Sequence, residues 1–183
     1  MTKIMAQYIK YFTTTMLALA LALLSGCSAS IEDYRDDTPK LDLFEFFEGY
    51  VQAWGMLQDR SGKQTRRFDV KIRGEVKGRV LTLYEDFLFD DGEEQQRTWV
   101  ITKLENGQYM GTADDVVGEA TGRVEGNALN WRYVLRVPVD DTTYDITFND
   151  WMYLQDSNHM LNIAEMTKWG FTVGTVTLFF EKQ

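Results

Sequence analysis

The sequence predicts an all-β fold: an antiparallel meander of about ten short strands that closes into a barrel. Three observations carry this. From Gly49 onward the chain is rich in Val, Ile, Thr, Tyr, Phe and Trp, and apolar residues alternate with polar ones, as Phe68, Val70 and Ile72 do with Asp69, Lys71 and Arg73. Gly, Asp and Asn interrupt these runs every 8 to 14 residues or so, which leaves connections short enough for hairpins. No helical stretch of ordinary length follows residue 50, so a parallel sheet with crossover helices is not expected. A sandwich is the alternative; the short connections favour the meander, because Greek keys need longer returns.

The elements before the barrel follow in order. Lys3 and Lys10 are the only charged residues ahead of Cys27, and Met16 to Leu24 is an apolar run too short for the roughly 20 residues that span hydrocarbon. This is the layout of a secretory signal peptide, residues 1–26. It ends in Leu24-Ser25-Gly26-Cys27, which looks like the bacterial lipobox: a branched residue, two small residues and a cysteine. Cleavage before Cys27 and lipidation of its thiol would anchor the chain, since each buried methylene contributes about 0.8 kcal/mol and two or three acyl chains hold firmly. Cys27 is the sole cysteine, so the fold is expected to carry no disulfide. Ser28 after the cysteine, where aspartate would favour inner-membrane retention in many bacteria, points to the outer membrane, with the domain facing the periplasm.

Residues 27–40 are short, polar and acidic and read as a lipidated tether. Leu41 to Glu48 carries too many bulky side chains for a solvated linker and reads as a short helix or an apolar plug. The barrel domain is then 41–183. The processed chain has 157 residues, enough for one domain. Its 17 basic and 28 acidic side chains give a net charge near −11. Nucleic acid is therefore not an expected partner, and contact with an anionic bilayer is expected through acyl chains and not through a basic patch.

Two hairpins can be read in register. Asp140-Asp141 marks a turn, and pairing Val139 with Thr142 sets Val137 opposite Tyr144, Leu135 opposite Ile146 and Tyr133 opposite Phe148; a slip of one would oppose apolar residues to Asp145 and Thr147. Asp91-Gly92 suits a two-residue type I′ turn. Centred there, it sets Asp86 opposite Arg97 and Tyr84 opposite Trp99. On an inward face Arg97 could receive a ligand carboxylate or phosphate. On an outward face it forms a solvated pair with Asp86, the preferred reading.

Candidate chemistry is sparse. His159 is the only histidine and reads as a surface-loop residue, and no Cys or His cluster has metal-ligand spacing, so neither a metal nor a cofactor is expected. The Asp doublets at 36/37, 90/91, 114/115 and 140/141 fit turns better than the spaced ligands of a calcium loop. No nucleophile and base pair can be named, so no enzyme is expected. The aromatic residues are more informative. They fill a barrel core or line an apolar cavity, and Trp54, Trp131 and Tyr133 are expected to point inward and, with Arg97, to form the candidate ligand site.

The stretches Phe47-Glu-Gly49, Trp54-Gly-Met-Leu-Gln-Asp-Arg60, Gly126-Asn-Ala-Leu-Asn-Trp-Arg-Tyr133 and Asp150-Trp-Met-Tyr-Leu154 resemble a family of bacterial lipoproteins catalogued as domain of unknown function 3833. The resemblance covers nearly all of the processed chain. It implies a lipoprotein linked to membrane lipids, and it brings no catalytic residues. Separately, the meander after Gly49 looks lipocalin-like at the level of fold. The expected function is a lipid-anchored binding module for a fatty acyl chain or other apolar ligand. The alternative is a structural or protein-interaction lipoprotein with a solid barrel, whose outer face docks a partner in the envelope.

Overall fold

Ten alternating runs pair edge to edge in a computed structural model that describes residues 28–139 and 141–183. Cys27 and the signal peptide lie outside the described residues. The strands are β1 (Gly49–Asp59), β2 (Gln64–Lys77), β3 (Val80–Phe89), β4 (Glu94–Lys103), β5 (Tyr109–Thr112), β6 (Ala120–Glu125), β7 (Ala128–Val139), β8 (Thr142–Leu154), β9 (His159–Lys168) and β10 (Phe171–Lys182). Each pairs antiparallel with its sequence neighbours, and β10 returns to β1, so the barrel is closed. Strands, plug and core all lie within one compact unit, Ile31–Gln183.

The β7–β8 hairpin has the register its hydrophobic pattern selects, with Val137 opposite Tyr144, Leu135 opposite Ile146 and Tyr133 opposite Phe148. The β3–β4 hairpin does not: Glu85, and not Asp86, faces Arg97, and Leu83, and not Tyr84, faces Trp99. The cause is the turn. Phe89 N–H donates to Glu93 O at 2.9 Å and Gly92 N–H to Phe89 O at 3.0 Å, with Gly92 at φ +86°. This is a three-residue loop, a type I turn followed by a left-handed glycine, in place of the two-residue turn. The same device closes β1–β2 at Gly62 and β4–β5 at Gly107.

One end of the barrel is stoppered. Helix α1 (Leu43–Phe47) starts at Asp42, whose Oδ1 accepts from the backbone N–H groups of Phe44 and Glu45, and it buries Leu43, Phe44, Phe46 and Phe47. Its last carbonyls are held from the barrel wall, where Lys182 Nζ donates to the carbonyl oxygens of Glu45, Phe46 and Glu48. Phe47 packs edge-on against Phe180, and Phe44 against Tyr109. Gly74 lets α1 come this close: a Cβ there would lie 1.8 Å from Phe47 O.

The stretch read as a tether is seated on the wall from Ile31 onward. A 3-10 turn (Ile31–Tyr34) lies against β6 and β7, Tyr34 packs on Trp151 and Tyr153, and Arg123 pairs with Glu32. Leu41 N–H donates to Gly126 O, so the chain approaches α1 past the β6–β7 turn at the stoppered end.

Candidate functional site

Inside the barrel, alternation sends Val51, Ala53, Gly55 and Leu57 of β1 inward, all of them small or medium-sized apart from Leu57. They face Phe68, Val70 and Ile72 of β2 and Leu178 and Phe180 of β10. Above α1 these residues leave a cavity of about 380 Å³. Leu43 and Phe47 form its floor, and Arg66, Glu93 and Pro138 stand at the opposite rim. The volume falls within the range of small-molecule sites.

One wall is aromatic. Trp131 meets Trp99 edge-on at 5.8 Å between ring centroids, Trp99 meets Tyr133 at 5.3 Å, and Tyr133 stacks on Phe148 at 5.0 Å. The indole of Trp131 rests on two glycines of β5 and β6. A Cβ at Gly122 would come within 2.2 Å of it, and one at Gly111 within 2.7 Å.

Set into this apolar lining is a polar cluster of Glu85, Arg97, Asp115, Tyr133 and Asp150. β5 and β6 are too short to reach the rim, and the upper half of β4 has no strand partner on that side. The β5–β6 loop fills the gap by running along β7, where Val117 N–H donates to Val134 O and Arg136 N–H to Asp115 O. Arg97 fastens the loop to β4: Nε donates to both Asp115 oxygens at 3.1 and 3.0 Å and Nη2 to Asp115 Oδ2 at 2.8 Å, while Nη1 lies 3.9 Å from Glu85 Oε2. Burial works against the charge of Arg97, but the bonds to Asp115 and the nearby Glu85 outweigh it and hold the guanidinium above its usual range.

The two remaining carboxyls are poorly served. Burial pushes Glu85 up to about 7 against the pull of Arg97, with the charge of Asp115 adding to the rise. Burial likewise raises Asp150 to about 7, opposed by Tyr133 and Arg97. Asp150 is 6% exposed. Tyr133 Oη donates to its Oδ2 at 3.4 Å, and its Oδ1 is buried with no hydrogen-bond partner. Such an orphaned acceptor costs about 1–3 kcal/mol, more when charged.

Of the four residues expected to form the site, three line the cavity: Trp131, Tyr133 and Arg97. Arg97 faces inward, contrary to the preferred reading, because the three-residue turn moves it onto the face of Glu85. Trp54 corrects the fourth expectation. It shares the outer face with Tyr50 and Gln52, is 43% exposed and stacks on Phe179. His159 lies at the start of β9, and not in a loop, with Nδ1 2.9 Å from Asp156. Sequence reasoning missed Glu85, Asp115 and Asp150. Each carries the same signal, an acid on an otherwise apolar stripe or in a turn doublet that proves to be more than a turn.

The sequence profile of the proteins of unknown function DUF3833 matches residues 21–182. The chain belongs to the DUF3833 family. No curated protein matches this DUF3833 chain. Among solved structures it is similar to a protein of unknown function from the DUF3598 family of Nostoc punctiforme, at 13% identity and a TM-score of 0.56. The match covers 80% of this chain and 51% of the other, so the DUF3833 chain spans about half the length of that relative. At this identity the likeness concerns the fold alone.

Proposed function

We propose that this chain is a lipid-anchored protein of the bacterial envelope, held at the outer membrane through Cys27 and facing the periplasm. In this reading its barrel binds an apolar long-chain molecule and does no chemistry on it. The observation that supports binding is the cavity of about 380 Å³, floored by α1, lined mostly by apolar and aromatic side chains and bordered by the rim residues Arg66 and Glu93. At about 30 Å³ per water-sized group, it has room for roughly a dozen such groups. The same cavity favours this reading over the rival one, a solid barrel that docks a partner.

Mass spectrometry of a solvent extract of the protein isolated from cells tests the binding role. A non-covalently held, long-chain species at near-stoichiometric yield is expected. An extract without one, together with failure of added long-chain compounds to bind, overturns the reading. Anchoring is tested apart from it: incorporation of labelled palmitate should be lost in Cys27→Ser, and undiminished incorporation would remove the lipoprotein assignment.

A further inference from the structure

The polar cluster constrains what the head of such a ligand can be. A fatty acid carboxylate would need a free cation, and the cavity's central cation is occupied: Nε and Nη2 of Arg97 bond Asp115, and Nη1 faces Glu85. Glu85, Tyr133 and Arg97 are the titratable groups that face Asp150. Around Asp150 the acids therefore outnumber the cation, and a second carboxylate would meet repulsion in a low-dielectric site. What the cluster lacks is a donor. Asp150 Oδ1 is buried and unpartnered beside the cavity, in a residue only 6% exposed.

Resting on the reading of the cavity as a ligand site, we propose that it takes a long-chain molecule whose polar end, a hydroxyl or an amine, donates hydrogen bonds to the under-partnered carboxylate of Asp150, and that it disfavours a carboxylate. The apolar chain then lies along the aromatic wall, with its head at mid-depth beside Tyr133. A donor head satisfies the orphaned acceptor without displacing the Arg97 to Asp115 bonds that close the wall. A carboxylate head at that depth would have to break those bonds to find a cation, since Arg66 and Arg136, which also line the cavity, lie toward its rim.

The test uses the protein as isolated from cells, carried in phosphatidylcholine nanodiscs, and reads tryptophan quenching. Trp99 and Trp131 line the cavity, so a brominated chain entering it quenches them saturably, whereas partition into lipid quenches without saturation. The probes are 11-bromoundecan-1-ol, 11-bromoundecanoate and 1-bromoundecane at pH 8.5. The alcohol is expected to reach half-saturation at a concentration about tenfold or more below that of the carboxylate, as a hydrogen bond to a charged acceptor implies. Asp150→Asn, which presents an amide donor as well as an acceptor, should bring the two within about threefold. A carboxylate that binds the wild-type protein as well as the alcohol does overturns the head-group assignment while leaving the cavity as a ligand site. Absence of saturable quenching by all three probes overturns both.

Discussion

Trp131 illustrates how much a single residue's setting decides. Its ring occupies the space that side chains at Gly111 and Gly122 would fill, and neither glycine has a left-handed backbone, so what those positions require is room. Gly122→Ala is therefore expected to destabilise the barrel by about 1–3 kcal/mol through overpacking, read as a lower urea midpoint at unchanged slope. Trp131→Ala should cost about 3–5 kcal/mol, against about 1 kcal/mol or less for Trp54→Ala, whose exposed ring loses one stacking partner. Equal losses from the two tryptophan variants would contradict their placement on opposite faces. The inward position of Trp131 was legible because Leu129, Trp131, Tyr133 and Leu135 alternate cleanly with Asn130, Arg132 and Val134. Trp54 was not, because the inward residues around it are Ala53 and Gly55. Their small size leaves space for the ring of Phe68, which lies 2.4 Å from where a Cβ at Gly55 would stand, and a stripe of small residues does not read as a core face.

At the scale of elements, strands and their order follow from alternation and short connections, and β7–β8 is fixed by apolar matching at Val137, Leu135 and Tyr133. The β3–β4 register was not, because Asp-Gly serves two turn types that differ by one residue. Glu85 then interrupts the inward stripe Leu81, Leu83, Phe87, Phe89 and obscures the face. The turn itself makes a prediction. Gly92→Ala forces a left-handed conformation on a residue with a Cβ and should cost about 1–2 kcal/mol; Gly92→Asn should cost less, since asparagine visits that region more readily. Thermal or urea unfolding of the pair checks the order, and Gly92→Asn losing more than Gly92→Ala would exclude the type I turn with its left-handed glycine. The plug was legible as a dense apolar run, while its attachment through Lys182, 135 residues beyond Phe47, was not, because nothing local in the sequence joins them.

For the molecule as a whole, the buried carboxyls set the response to pH. Glu85 and Asp150 titrate near 7 in the folded barrel and at their ordinary 4.5 and 3.8 when unfolded, so the folded state binds more protons between about pH 4 and pH 7. Their contribution to stability is complete below that window and is lost as pH rises through about 7. At about 1.4 kcal/mol per unit, the pair contributes on the order of several kcal/mol. The acids Asp59, Asp90, Asp91 and Glu93 sit below their ordinary values, so what they contribute is lost as pH falls, below about pH 4.5. Urea midpoints should therefore fall from pH 5 to pH 8.5, and Asp150→Asn should remove about half of that fall. A midpoint that rises over this range would mean that the two acids are not buried as described. The stopper has a further consequence, for rates. On the proposed binding role, a barrel sealed by α1 at one end fills and empties across the same rim, where Arg66 bonds Asp91 at 2.8 Å and lies 3.6 Å over the ring of Phe89. Because arrival and departure cross one barrier, loosening that rim with Arg66→Ala should speed both by the same factor, measurable by stopped-flow, and leave the equilibrium constant where it was.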